Sequence, residues 1–198
     1  KMVEWLAGNR ITGTNAERTS TTGFNTIPAV AGGWKEVGRT TLGSASDIID
    51  VASLADKRYY MVLADIKPTG GNIDFFYNFN ADTGGNYATR RSEDGAGDGT
   101  VLSNTNGIIW GNNNTVNPAF SVGYFSNLST KEKLTISHAV HQNTAGAGTA
   151  PLRVESVGKW SNISNPISTI SIKDAGSNQY NTGTELVVLG WDPEDTHT

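Results

Sequence analysis

Two histidines three residues apart, His138 and His141, are the first residues whose types suggest chemistry. On a strand, residues three apart point to opposite faces, so this pair cannot chelate one ion. Zinc needs three or four convergent ligands, and His138, set between Ile136 and Val140, reads as a core or interface histidine. His197 lies near the end of the chain. The acidic stretch Glu93-Asp94-Gly95-Ala96-Gly97-Asp98-Gly99 resembles half of a calcium loop, with Asp94 and Asp98 at its first and fifth positions. Ala96 stands at the third position and Thr105 at the twelfth, where a bidentate Glu belongs, so the stretch is not an EF-hand. A looser calcium site using Asp94 and Asp98 stays open beside the simpler reading, a solvated turn. Asp65, Asp74 and Glu155 fall on expected strands where a glycosidase could place its two carboxylates, but nothing singles out a pair. No Gly-x-Ser-x-Gly elbow accompanies the many serines. The expectation is a protein that is not an enzyme and that needs no cofactor.

Binding chemistry has one candidate. Trp110 stands beside Asn112, Asn113 and Asn114, and an exposed aromatic ring stacks on the apolar face of a sugar while amides bond its hydroxyls. The competing reading is a tryptophan packed at a strand end, because aromatic side chains commonly serve as core. Asn113, Asn127 and Asn162 each begin an Asn-x-Ser/Thr triplet that a suitable host could glycosylate.

The elements that would hold these residues are strands. Hydrophobic residues make up 36% and charged residues 17% of the chain, with 23 glycines. The polar surface must therefore come from Asn, Ser and Thr, a balance that suits strands and turns. Arg58 to Ile66 is apolar on both alternating sets and reads as a central strand covered on both sides. Ile73, Phe75, Tyr77 and Phe79 alternate with polar residues, as do Phe120, Val122 and Tyr124, which marks half-buried strands. Leu134, Ile136, His138 and Val140 share a face, Ile170 and Ile172 another, and Glu185 to Trp191 closes the pattern. Turn clusters separate these runs at Pro68 to Gly71, Asp82 to Gly85, Asp94-Gly95, Asn112 to Asn114, Asn143 to Pro151 and Asn178 to Gly183. Eight to ten strands in 198 residues predict one all-β domain over 34–198: an antiparallel, jelly-roll-like β-sandwich, with a closed barrel as the alternative.

Residues 1–33 differ from the rest. They are rich in Thr, Gly and Asn, with Ile11, Phe24, Ile27 and Val30 as isolated apolar points. They read as an extended arm that adds a strand to a neighbouring sheet edge, or as a strand packed on its own domain. A net charge of −4 and a pI near 5.3 give no basic field for a phosphate backbone, which argues against nucleic acid. No run approaches 18 apolar residues, so no helical membrane span is expected. The absence of cysteine excludes disulfides, thiolate metal sites and a Cys nucleophile.

Several stretches are distinctive together: Gly33 to Leu42, Leu54 to Leu63, Asn80 to Ala88 with its Asp-Thr-Gly-Gly-Asn-Tyr core, Asn127 to Leu134, Thr144 to Pro151, Val157 to Trp160, and Glu185 to Pro193. In these the chain resembles a group of uncharacterised β-sandwich proteins encoded by uncultured marine viruses, chiefly tailed phages, and by some marine archaeal genomes. The resemblance implies a virion or cell-surface structural role and carries no catalytic motif. The expected partners are copies of the chain itself, with other virion proteins or a surface glycan as further partners. A carbohydrate- or receptor-binding module and a surface-filament subunit are the alternative functions.

Overall fold

The computed structural model describes residues 33–70, 73–113, 117–174 and 179–192. Twelve strands occur among them, more than the eight to ten expected, and no helix. In chain order they are β1 Lys35–Thr41, β2 Ile48–Val51, β3 Tyr59–Ile66, β4 Ile73–Phe79, β5 Tyr87–Glu93 and β6 Gly99–Asn104. Then follow β7 Ile108–Asn113, β8 Ala119–Ser126, β9 Lys133–His141, β10 Leu152–Trp160, β11 Ile170–Lys173 and β12 Glu185–Trp191. Eight strands form one sheet in the order β1-β12-β3-β8-β9-β10-β5-β6, and four form a second in the order β2-β11-β4-β7. The pairings are antiparallel, and the sheets do not close into a barrel. The expected sandwich is the observed architecture.

The period-2 alternation of β4 shows how the layers form. Ile73, Phe75, Tyr77 and Phe79 are fully buried and face the large sheet, where Tyr60, Val62, Ala64 and Ile66 of β3 and Leu186 and Val188 of β12 complete the core. Aromatic rings dominate the space between the sheets. Phe75 stacks on Trp110 at 4.8 Å between centroids, Tyr77 on Trp110 at 5.2 Å, and Phe79 meets Phe125 edge-on at 5.2 Å. The Tyr77 hydroxyl shares a hydrogen bond with Ser121 Oγ at 2.8 Å.

Such bulky rings leave little room on the facing strands. A Cβ added to Gly123 of β8 would lie 2.8 Å from the Phe125 ring and 3.0 Å from the Tyr77 hydroxyl, and one on Gly158 of β10 would lie 2.5 Å from Ile108. The inward positions at the middle of β8 and β9 are accordingly small, Ser121, Gly123, Ser137 and Ala139, while the larger inward residues Phe125, Lys133 and His141 lie towards the strand ends. This requirement decides which way their larger side chains point.

Candidate functional site

The residues singled out above are scattered by the fold. Trp110 is 0% exposed, so its ring has no face to offer a sugar, and the platform expected there is corrected. The cause is a β-bulge: Phe75 pairs with Gly111 and Phe76 with Ile109, leaving Trp110 as the extra residue of β7, turned into the core. Asn112 and Asn113 continue β7 opposite Asp74 and Ile73, while the side chains of both, and Asn114 as a whole, lie outside the described residues. So do Ile11, Phe24, Ile27 and Val30, and with them the expected arm.

The two histidines occupy opposite faces of β9 as expected. His138 is exposed, not a core residue, and His141 is buried against Phe75, ring on ring at 5.5 Å. Burial holds the His141 imidazole below its ordinary pKa, against the pull of Asp94. Asp94 and Asp98 lie in the loop from β5 to the start of β6, where each has a protein partner. Asp94 Oδ1 accepts from Arg153 N at 2.8 Å, and Asp98 pairs with Arg90 at 3.2 Å. No group of three or more His, Asp or Glu suited to a metal ion gathers among the described residues. Asp65 and Glu155 stand on β3 and β10, three strand spacings across and two residues along, or roughly 16 Å apart, beyond the separation that either glycosidase geometry uses. Asp74 lies on the other sheet.

The stretches that carry the resemblance have structural duties in this fold. Asp82 opens the turn from β4 to β5 and accepts from Gly84 N at 2.8 Å, Asn86 Nδ2 at 2.9 Å and Trp160 Nε1 at 2.6 Å. Burial pushes its carboxyl up, but these bonds outweigh burial and hold it below the usual range. Tyr87 closes the same turn, its hydroxyl accepting from Phe79 N at 2.9 Å and donating to Phe79 O at 3.1 Å. Trp160 in turn lies 5.2 Å from the buried Lys133 Nζ, which donates to Asn162 O at 2.7 Å. Asn127 is buried, with Nδ2 donating to Asp56 Oδ1 and Lys57 O and Oδ1 accepting from Ile167 N. A glycan on that amide would break this network, so the Asn127 triplet is structural. Asp82→Ala is expected to lower stability by about 2–3 kcal/mol, since three donors lose a charged acceptor. Urea unfolding measures this, and Asp82→Asn should lose less.

What remains is a surface. Directly opposed residues of an antiparallel pair share a face, and the register places Leu189 of β12 beside Met61 of β3, Tyr124 of β8, Ile136 of β9 and Val157 of β10. This row of five apolar side chains crosses the large sheet on the side away from the small one. Phe120 with Val140, and Leu63 with Val122, extend it on flanking rows. Ile136 is 55% exposed, Leu134 58%, Val157 48% and Tyr124 47%. Trp34 stands over the same face, 6.3 Å from the rings of both Tyr124 and Trp191, and Tyr59 stacks on Trp191 at 5.4 Å. At that corner a cleft of about 390 Å³ is lined by Asp56, Lys57, Arg58, Tyr59, Asn127, Leu128 and Asp192. Asp192 there accepts from Arg58 N at 2.7 Å and pairs with Lys57 at 3.4 Å.

Two expectations are reversed by this geometry. Phe120, Val122 and Tyr124, and likewise Leu134, Ile136 and Val140, were expected to be the buried sets of their strands, yet they face outward. The rings of β4 and β7 claim the interior, and beneath them the middle of β8 and β9 turns its small residues inward, with Phe125 and His141 packing against the rings towards the strand ends. The outward set of β3, Tyr59, Met61 and Leu63, is half-buried and not covered as expected. Exposed apolar patches of this extent are uncommon on monomers and mark contact surfaces.

Fold and surface together define an antiparallel β-sandwich whose larger sheet presents an apolar outer face. No protein-family model matches the chain, nor does any curated protein or solved structure match it significantly.

Proposed function

We propose that this chain is a structural subunit of a virus-type particle, built into its extracellular surface by self-assembly and without catalytic activity. The observation that carries the reading is the apolar row from Leu189 to Val157 on the solvent side of the large sheet. Burying such a face stabilises association by about 25 cal/mol for each Å² removed from water, whereas leaving it exposed invites aggregation. The sequence resemblance to virus-encoded sandwiches points the same way. The acidic charge balance argues against a nucleic-acid-facing role. Electron micrographs of the purified protein test the proposal. A regular shell, ring or fibre is the expected image; dispersed single molecules that bind glycans on an array would replace assembly with a receptor-binding function.

A further inference from the structure

We infer that His141 is an acid sensor built into the seam between β7 and β9, and that a proton on its imidazole loosens this seam. The inference concerns the domain itself and goes beyond the self-assembly reading. His141 is the last residue of β9 and points inward, 1% exposed. Its ring lies nearly parallel to that of Phe75, 5.5 Å away at 12°. It also lies against the backbone of β7, since a Cβ added to Gly111 would be 3.0 Å from His141 Nε2. Neither Nδ1 nor Nε2 has a hydrogen-bond partner. A neutral imidazole carries one N–H donor, whereas an imidazolium carries two and a full charge. Holding that charge at a buried place without an acceptor costs far more than leaving a neutral ring unpaired.

The elements packed around the ring do little for a proton there. On the neighbouring strands β8 and β10, the apolar residues Ala119 and Leu152 stand opposite His141. Trp110 of β7, stacked on the same Phe75 ring, has only a donor in its indole. Tyr180, also against Phe75, keeps a neutral phenol at acid pH. On β5, Arg91 and Glu93 pair with each other at 2.7 Å. Asp94, in the loop that follows, already accepts from Arg153 N at 2.8 Å. The Asp94 charge favours protonation of the ring, yet burial outweighs it and holds the imidazole below the ordinary 6.5. The sheets decide what gives way. Strand β9 is an inner strand, paired with β8 and β10 as far as His141 itself. Strand β7 is an edge of the small sheet, paired among the described strands with β4 alone, and the bulge at Trp110 interrupts that pairing. A strand so held opens at lower cost than an inner one, and its movement lets water reach the imidazolium.

Below pH 6.5 the unfolded chain takes up a proton that the folded chain does not, so stability falls as pH drops. Urea unfolding at one fixed protein concentration, at pH 7.5 and at pH 5.5, tests this. Between the two, the unfolding constant of the wild-type chain should rise up to about tenfold. His141→Phe, which keeps a ring against Phe75 and cannot titrate, and His141→Gln should each lack this rise. His138→Gln, altered at the exposed histidine, should keep it. Native-state hydrogen exchange of the wild-type chain should show the β7 amides losing protection at pH 5.5 while those of β3 keep theirs. A wild-type chain with no loss of stability at pH 5.5, or one whose loss equals that of a His141 variant, would overturn the sensor. Equal loss of protection in β7 and β3 would overturn the seam as the place that opens.

Discussion

Raising the pH from 10 to 12 is expected to unfold the domain steeply. Four of its six tyrosines, Tyr60, Tyr77, Tyr87 and Tyr180, are at most 1% exposed. Burial pushes the Tyr60 phenol up to about 12 and raises those of Tyr77, Tyr87 and Tyr180 well above their ordinary value. In the unfolded chain these phenols ionise near their ordinary value of 10.0. Above that pH the unfolded state holds fewer protons than the folded one, and stability falls as pH rises. Each such group removes about 1.4 kcal/mol per pH unit, so four remove roughly 5–6. Lys133 works the other way, since burial lowers its ammonium below the ordinary 10.5, but its effect ends near that pH and leaves the tyrosines unopposed above it. A loss of roughly 5 kcal/mol per unit above pH 10.5 exhausts an ordinary stability of about 5–15 kcal/mol within a few pH units. Tyrosinate absorbance followed together with circular dichroism measures this. Tyr60, Tyr77, Tyr87 and Tyr180 should ionise only as strand signal disappears, and their ionisation near pH 10 with the fold intact would contradict the buried hydroxyls.

Trp110→Ala should cost about 3–5 kcal/mol, the range for removing a large buried aromatic. The indole is fully buried and contacts Phe75 and Tyr77 at once. Denaturant unfolding of the variant gives the number. If stability were unchanged and affinity for a sugar lost instead, Trp110 would be a binding platform and its placement in the core would be wrong.

That residue also shows where sequence and fold part company. Strand β4 and strand β12 were legible to the residue, because both end in turn clusters and alternate or run apolar throughout. Strands β5 and β10 were not, since their inward positions include Thr89, Arg91, Ser156 and Gly158, which a period-2 reading cannot recognise as part of an inward set. For β8 and β9 the period itself was plain, but periodicity does not say which set faces inward. The answer depends on the size of the rings across the sandwich, a non-local property invisible in either strand. The Trp110 bulge is equally non-local, arising from the register of β7 against β4. The Asp82 turn was visible as a motif, yet its anchor, Trp160, lies 78 residues further along the chain. The apolar outer face could have been suspected from one signal: β8 and β9 pair large apolar residues with Ser, Thr and Gly, too small a set to line an ordinary solvent face by design and well suited to lie under aromatic rings.

The central claim is that this outer face holds copies together, and light scattering across a range of concentrations tests it most directly. The wild-type chain should weigh a multiple of its 21.0 kDa. Ile136→Lys combined with Val157→Glu, opposite charges on directly opposed residues, should weigh 21.0 kDa and stay near the wild-type melting temperature, because exposed substitutions rarely change stability by more than about 0.5 kcal/mol. A wild-type chain that stays at 21.0 kDa at every concentration, or a double variant that keeps the wild-type mass, would contradict it.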